Sequence, residues 1–174
     1  MATGSLIKID EEIVTSAVAS VTLGGSDWDS SYDVYMVKAN AVTPVTDSRY
    51  LKARVTASGT PDTSANYDSA YKELKAYESF SNRAYLNQDH WRMLTTGTGT
   101  GEQTNFVMYL FNFNTSSEYC FITLEETLLT NSAGLAGWQG GGVHTVAQAC
   151  DGLNLFFDLG NIASGTFTLY GLKK

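Results

Sequence analysis

The densest group of carboxylates in the sequence lies in the segment SDWDSSYD, which contains Asp27, Asp29 and Asp33. Closely spaced carboxylates can coordinate Ca²⁺, a hard cation that takes about six to eight oxygen ligands. The segment lacks the central glycine and the bidentate glutamate of an EF-hand loop. It therefore meets only part of the requirement for a calcium site, and its composition is more typical of a solvated loop.

The two histidines, His90 and His144, are the side chains best suited to acid–base catalysis near neutral pH. Neither lies in a motif that orients a histidine, such as G-x-S-x-G or H-E-x-x-H. Serine is so common in this chain that a distant Ser-His-Asp match would be accidental. We therefore predict neutral strand histidines, no enzymatic activity and no cofactor.

Adjacent glutamates occur twice, as Glu11–Glu12 and as Glu125–Glu126. Neighbouring residues of a strand point to opposite faces of a sheet. A glycosidase needs two carboxyl groups roughly 5 to 9 Å apart across one substrate. Neither pair is therefore expected to act on a glycosidic bond.

Two glycine-rich segments, 96–102 and 136–142, have the composition of phosphate-binding loops. Neither shows the strand-to-helix pattern, with a Lys or Ser/Thr at a fixed offset, that a phosphate cradle requires. We predict a mobile connection at both places. Trp138 in the second segment is predicted either to anchor a neighbouring chain from an exposed position or to cover the edge of the core.

Cys120 and Cys150 are the two cysteines of the chain, and each lies in an apolar run typical of a strand. The first residues contain neither a signal-peptide core nor an apolar span of about 18 residues. We therefore expect synthesis in a cytoplasm and no membrane partner. In that compartment the two thiols are expected to be buried and reduced.

Composition limits the class of protein further. The chain has 174 residues, 43% of them hydrophobic, which suits one domain with a continuous core. Its formal net charge is −7, so the attraction to phosphate on which nucleic-acid binding depends is missing. Ser, Thr, Asn, Gly and Tyr are abundant and charged residues are few, which favours sheets with many turns over helical bundles.

Alternation of apolar and polar residues predicts strands along most of the chain. The segment 67–80 also fits a helical spacing, and a strand is preferred there because a lone helix would have no partner layer. The last two predicted strands are expected to pair as a hairpin around Gly160–Asn161. Strands are predicted at 13–23, 34–40, 50–57, 67–80, 90–95, 106–112, 119–125 and 143–149, and as the two arms of the hairpin in 153–172.

About ten short strands with frequent turns predict an all-β fold, an antiparallel β-sandwich similar to a jelly roll. The sandwich is expected to span residues 10–174, with residues 1–9 as an N-terminal arm. Ten tyrosines, eight phenylalanines and three tryptophans are available to fill its core, or to stack on sugar rings if they are exposed.

Five segments of the chain resemble a family of small proteins encoded by tailed bacteriophages and prophages, including marine cyanobacterial podoviruses. The likeness spans nearly the whole chain, is strongest at 161–173 and is weakest at 77–95. It implies a virion structural protein with a β-sandwich fold, displayed on the particle as a homotrimer or a comparable oligomer. The segments are SSYDVYMVKANAVTP, RVTASGTPDTSANY, GTGTGE, YLFNFN and LGNIASGTFTLYGLKK.

The first predicted strand begins close to Met1, which favours a capsid decoration protein on the outer head surface over the knob of a separate fibre. Leu6, Ile7 and Ile9 of the arm are predicted to add a strand or an apolar plug to the major capsid protein or to a sister subunit. The alternative is that the arm simply starts the sandwich. A tail-fibre or head-fibre knob that binds a host receptor or a glycan is the main functional alternative, and a polysaccharide-acting enzyme is the second.

Overall fold

The computed structural model describes residues 5–130 and 134–172, which form thirteen β-strands and one turn of 3-10 helix at Gly25–Asp27. The predicted all-β fold is confirmed, with thirteen strands in these ranges instead of about ten. No helix in these ranges is long and apolar enough to cross a membrane. The strands are β1 Leu6–Val14, β2 Ser20–Gly24, β3 Val34–Pro44, β4 Arg49–Ala57, β5 Thr60–Pro61, β6 Tyr67–Lys75, β7 Ser81–Gln88, β8 Trp91–Thr96, β9 Thr104–Phe111, β10 Cys120–Thr130, β11 Gly134–His144, β12 Gly152–Phe157 and β13 Ile162–Leu172.

The strands form two antiparallel sheets that pack face to face as a β-sandwich. The larger sheet has eight strands in the order β1-β13-β3-β9-β10-β11-β6-β7. The smaller sheet has the order β2-β12-β4-β5, and β8 also pairs with β4. Edge strands of the larger sheet are therefore β1 and β7, and its centre is β9 and β10.

The core lies between the two sheets and is built by alternation along each strand. In β10, for example, Cys120, Ile122 and Leu124 are buried while the residues between them face solvent. The smaller sheet contributes Leu51, Ala53 and Val55 of β4, all fully buried, and the largest fully buried side chains are Trp91, Tyr35, Tyr67, Phe113 and Phe167.

The predicted strand 13–23 is wrong as a single element. β1 ends at Val14 in the larger sheet, and β2 starts at Ser20 in the smaller one. Between them Val18 bridges to Ile162 through two backbone hydrogen bonds of 3.1 and 2.8 Å. The chain changes sheets here because a bend at 15–19 interrupts the alternation that both halves share.

The predicted terminal hairpin is also wrong, although both of its strands exist. β12 pairs with β2 and β4 in the smaller sheet, whereas β13 lies between β1 and β3 in the larger sheet. Residues 158–161 carry the chain from one sheet to the other. Alternation indicates which face of a strand is buried, but it does not indicate which strand lies beside it.

The glycine-rich segment 136–142 is no mobile connection, because it is the middle of β11, a strand paired with β10 on one side and β6 on the other. A Cβ at Gly140 would lie 2.2 Å from the carbonyl oxygen of Ala70, and one at Gly142 would lie 2.5 Å from Nε1 of Trp91. The missing side chains therefore let neighbouring strands and the facing sheet approach closely. The predicted strand 143–149 keeps only its first two residues, as the end of β11.

Gly140→Ala is expected to destabilise the protein by about 2 kcal/mol, because the new methyl group meets backbone that cannot move without disturbing the sheet. Gly99→Ala is the matched control, since a Cβ there meets only the flexible carboxylate end of Glu102. Urea unfolding of both variants gives the two free energies. Equal losses for the two variants would contradict the close-approach explanation.

Candidate functional site

The outer, solvent-facing side of the larger sheet has a row of small residues across four neighbouring strands. Each is the direct cross-strand partner of the next, so all four residues present the same face of the sheet. Because these residues are small, the surface of the sheet along the row is lower than it is at the larger side chains on either side. Its members are Thr123 on β10, Gly141 on β11, Ala70 on β6 and Ala84 on β7.

Large apolar side chains border this row and turn it into a depression of about 430 Å³. Phe121 is 44% exposed and Leu86 is 65% exposed, and Val143 lies beside Phe121 as its cross-strand partner. The chain itself places no other element over this depression among the described residues. We call it the outer groove, defined by Ala70, Ala84, Leu86, Phe121 and Gly141.

Polar residues occupy the opposite side of the row. Gln139 donates a hydrogen bond of 3.1 Å to Oε1 of Glu125, and Lys72 donates one of 3.2 Å to Oδ1 of Asn82. These four residues are consecutive cross-strand partners on β10, β11, β6 and β7. One wall of the outer groove is thus mainly apolar, with the carboxylate of Asp68 beside Val143, and the other wall consists of hydrogen-bonding side chains. This is the composition of a surface that binds a partner in a defined orientation.

The predicted partner residues Leu6, Ile7 and Ile9 lie in β1, so the predicted boundary of the arm at residue 9 falls inside a strand. β1 pairs with β13 of its own chain and forms an edge of the larger sheet. Leu6 is 50% exposed and Ile7 is 38% exposed, whereas Ile9 packs partly against the core. Residues 1–4 of the predicted arm lie outside the described residues.

Trp138, predicted as a possible exposed anchor, is 3% exposed and belongs to the core. Its ring stacks on Tyr71, with 4.8 Å between ring centroids and 20° between planes, and lies 6.0 Å from Tyr85. Trp138 lies within the regular strand β11, at one of the positions that face the core. The alternative prediction, a core contact, is the one that the structure confirms.

Asp27, Asp29 and Asp33 are not brought together by the fold as a cluster of metal-ligating side chains. Asp29 accepts a 2.9 Å hydrogen bond from the backbone N–H of Ser31, and hydrogen bonds from Ser31 hold the pKa of its carboxyl below the ordinary value. Across residues 5–130 and 134–172, no three His, Cys, Asp or Glu side chains are grouped in a way that could hold a metal ion. Asp29 thus stabilises its own turn.

His90 lies in the turn before β8, with Nδ1 2.5 Å from Oδ1 of Asp89. Asp89 also pairs with the guanidinium of Arg54, which lies over the ring of Phe156 at 4.5 Å from its centroid. Burial lowers the pKa of His90 below its ordinary value, against the opposing effect of Asp89. The prediction of a neutral histidine at pH 7 agrees with this direction.

A second polar group, which the sequence analysis did not predict, is buried where β10 and β11 meet. His144 is fully buried, and its Nε2 lies 3.1 Å from Oδ2 of Asp62 without the alignment of a hydrogen bond. Burial lowers the pKa of His144. Cys120 is the cross-strand partner of His144, and its Sγ lies 3.1 Å from Sγ of Cys150.

An acid, a histidine and a thiol therefore come together here, but inside the core. Cys120 and His144 are fully buried and Cys150 is 2% exposed, so a substrate would have to displace packed side chains to reach them. Nucleophilic catalysis requires a reacting atom within about 3 Å of the nucleophile. In the sequence, the one available signal is the alternation along each strand, which places Cys120 and His144 at inward-facing positions.

Glu126 is the other buried polar group that bridges the sheets. Its Oε2 accepts a 2.9 Å hydrogen bond from the backbone N–H of Leu94 on β8, and its Oε1 accepts one of 2.7 Å from Oγ1 of Thr104. Leu94 lies where the register between β4 and β8 shifts, between Tyr50 and Lys52. The carboxyl group thus satisfies a backbone donor at an irregular point of the smaller sheet.

Burial raises the pKa of Glu126 to about 7, although both hydrogen bonds oppose the shift. Glu125 beside it is exposed, which confirms the prediction that the two adjacent carboxyl groups face opposite sides of the sheet. Comparison of the sequence with models of known protein families and with curated proteins finds no match. A function for this chain therefore has to be argued from these surfaces and groups.

Proposed function

We propose that this chain is a structural protein of a tailed-bacteriophage virion, and that it acts as a decoration protein on the outside of the head. The observation that carries the proposal is the outer groove, an uncovered apolar depression on a regular sheet. The resemblance of five segments to small phage virion proteins supports the same function. The role is mechanical: the chain holds neighbouring capsid subunits together.

Exposed apolar side chains on the larger sheet supply the driving force for this docking. Phe121 and Leu86 border the outer groove, and Leu129 and Leu135 form an exposed cross-strand pair at 41% and 52% exposure. Burial of apolar surface contributes roughly 25 cal/mol per Å². The two groups lie on either side of the polar Glu125–Gln139 pair, and exposed apolar patches often mark interaction sites.

The edge strand β1 provides a second contact in this proposal. Its outer backbone edge and the exposed Leu6 and Ile7 are suited to pairing with a strand of the major capsid protein or of a sister subunit. Self-association as a homotrimer would use the same edge. The net charge of −7 suits the exterior of the shell, away from packaged DNA.

Stabilisation of the shell follows from mass action. A protein that binds only the assembled, expanded lattice lowers the free energy of that state and of no other. Loss of this chain from the particle is therefore expected to make heads burst at lower temperature. Mass spectrometry of purified virions tests its presence directly, and its absence from them would reject the proposal.

Replacing Phe121 and Leu86 together by serine is expected to lower the affinity for undecorated, expanded capsids at least about tenfold, because the exposed part of each side chain contributes about 0.7 kcal/mol or more when the capsid covers it. Both side chains are exposed, so the thermal midpoint should hardly change. Leu159→Ser, at a 57% exposed turn between β12 and β13, is the control. Co-sedimentation with capsids measures the affinity.

The control is expected to bind like the unaltered chain. A double variant that decorates capsids as well as the unaltered chain would show that the outer groove takes no part in docking. Failure of all three proteins to bind capsids would argue against the decoration role itself.

A fibre knob that binds a host glycan remains the alternative, because Tyr109 and Phe121 are both exposed on the outer face, at 38% and 44%. Aromatic faces presented in this way stack on sugar rings. Binding of the isolated chain to host cells or to a glycan array, with loss of binding in Tyr109→Ala, would favour the knob. Depolymerisation of a surface polysaccharide, lost on substitution of His90 or His144, would favour the second alternative, an enzyme.

A further inference from the structure

The two cysteines of the chain meet in the core from opposite sheets. Cys120 begins β10 in the larger sheet, and Cys150 lies two residues before β12 of the smaller sheet. Their sulfur atoms are 3.1 Å apart, and each Sγ also lies 3.9 Å from the carbonyl oxygen of Gln148. We propose that this pair is a site of oxidative modification, at which hydrogen peroxide converts the two thiols into a disulfide that links the two sheets.

The backbone around each cysteine is already fixed by other contacts. The N–H of Cys150 donates to the carbonyl oxygen of Phe113 at 2.6 Å, and the N–H of Asp151 donates to that of Thr56 at 2.9 Å. The carboxylate of Asp151 also accepts hydrogen bonds from Thr56 Oγ1 and from the N–H of Gly59. The segment that carries Cys150 is therefore held both to Phe113, just after β9, and to β4 of the smaller sheet before any S–S bond forms.

Cys120 is equally well placed, because it is a ladder residue of β10 whose partner on β11 is His144. An S–S bond of about 2 Å requires the two sulfur atoms to approach each other by about 1 Å. Side-chain rotation supplies a movement of that size without a change of backbone. The two sulfur atoms are thus held close enough for a bond to form between them.

The two thiols are chemically unequal. One hydrogen bond joins the two sulfur atoms, and either of them can be its donor. This bond lowers the pKa of Cys120 and raises that of Cys150. Cys120 is therefore the nucleophile of the pair, because the thiolate is the reactive form of cysteine. Both groups are buried, so the oxidant has to be as small as a peroxide molecule.

The reaction proceeds in two balanced steps. The Cys120 thiolate attacks one oxygen of hydrogen peroxide, the O–O bond breaks, hydroxide leaves and a sulfenic acid forms on Cys120. The sulfur of Cys150 then attacks Sγ of Cys120, the S–O bond breaks, and hydroxide leaves with the proton of Cys150 as water. Two thiols and one peroxide thus give one disulfide and two water molecules.

The link is expected to raise the thermal midpoint by about 10 °C, because it closes a loop of about 30 residues and restricts the unfolded chain. The inference does not depend on the proposed function. It concerns the chain alone and is tested with the purified protein.

The experiment compares the unaltered chain before and after treatment with hydrogen peroxide. A protease specific for glutamate cleaves after Glu118, Glu125 and Glu126, which separates Cys120 from Cys150. Oxidation is expected to join the peptides of Cys120 and Cys150, with a mass about 2 Da below their sum, and to raise the thermal midpoint. A reductant is expected to reverse both changes.

Cys150→Ala is the matched control, and peroxide is expected to leave its thermal midpoint unchanged. Three outcomes for the unaltered chain would overturn the proposal. These are two thiols that still react with an alkylating reagent after unfolding, a sulfinic acid on Cys120 without a linked peptide, and a linked peptide without any rise of the thermal midpoint. Because the main comparison uses one protein in two redox states, it does not depend on the variant folding.

Discussion

Replacing Glu126 by glutamine is expected to make the stability of the protein less sensitive to pH. The free energy of unfolding of Glu126→Gln, relative to the unaltered chain, should rise by about 2.5 kcal/mol between about pH 5 and about pH 8.5. The cause is the buried position of the carboxyl group, whose pKa is raised to about 7 from an ordinary value of 4.5. Each unit of such a difference corresponds to about 1.4 kcal/mol.

The direction follows from proton binding. Because the pKa of Glu126 is higher in the folded chain than in the unfolded one, the folded chain holds the proton more tightly. Glu126 therefore contributes fully to folding stability below its unfolded-state pKa. This contribution is lost as the pH rises through its folded-state pKa of about 7. Glutamine carries no such penalty, since its carbonyl oxygen can accept from the Leu94 N–H and its amide can donate to Thr104.

Urea unfolding of the two proteins across this pH range measures the effect. Glu125→Gln is the control, because Glu125 lies one residue away on the exposed side of the same strand. Its stability relative to the unaltered chain should stay constant to within about 0.5 kcal/mol. A constant difference for Glu126→Gln as well would contradict a buried, titrating carboxyl group.

Replacing Trp91 by alanine is expected to destabilise the protein by about 4 kcal/mol, the largest single effect among these variants. Trp91 is fully buried at the start of β8, packs edge to face on Tyr67 at 5.1 Å between ring centroids, and donates to the carbonyl oxygen of Val143. Its indole also occupies the space that a side chain at Gly142 would need. Alanine would leave a cavity between the two sheets.

Phe80→Ala is the control for Trp91→Ala, since it also removes an aromatic ring but at a 59% exposed position. It should cost less than about 0.5 kcal/mol. Thermal and urea unfolding of both variants give the comparison. A loss below about 1 kcal/mol for Trp91→Ala would mean that the two sheets do not depend on this residue for their packing.

Strands in which one face is buried were predictable from the sequence. β4 alternates Leu51, Ala53 and Val55 with polar residues, and the structure places β4 within one residue of the predicted range. The strands predicted at 106–112 and 119–125 correspond to β9 and β10, which pair with each other. In each case the information is local, because period-two burial and a short connection are both present in the sequence itself.

Strands that break the alternation were missed or misread. β7 has the sequence SNRAYLNQ and is exposed along most of its length at an edge of the sheet, so no apolar period marks it. β11 contains Gly140, Gly141 and Gly142, which have low strand propensity, and their role depends on the strands and the Trp91 ring that approach them. Such contacts are non-local and are therefore absent from the sequence pattern.

The candidate site was predictable only in part. Leu6 and Ile7 are exposed on an edge strand as an interaction surface requires, although the strand pairs within its own chain. The outer groove was not predicted, because it arises where four strands from distant parts of the sequence place small residues side by side. The pair of Cys120 and Cys150 depends in the same way on two elements that only the fold brings together.

The position of β13 between β1 and β3 has a consequence for biosynthesis. Strands near the start of the chain can complete their ladder only after residues 162–172 have left the ribosome. Folding of the larger sheet is therefore expected to wait for the synthesis of β13, and to be slow because its contacts have high contact order. Until that moment β1 and β3 remain open edges, a state in which nascent chains depend on chaperones to avoid aggregation.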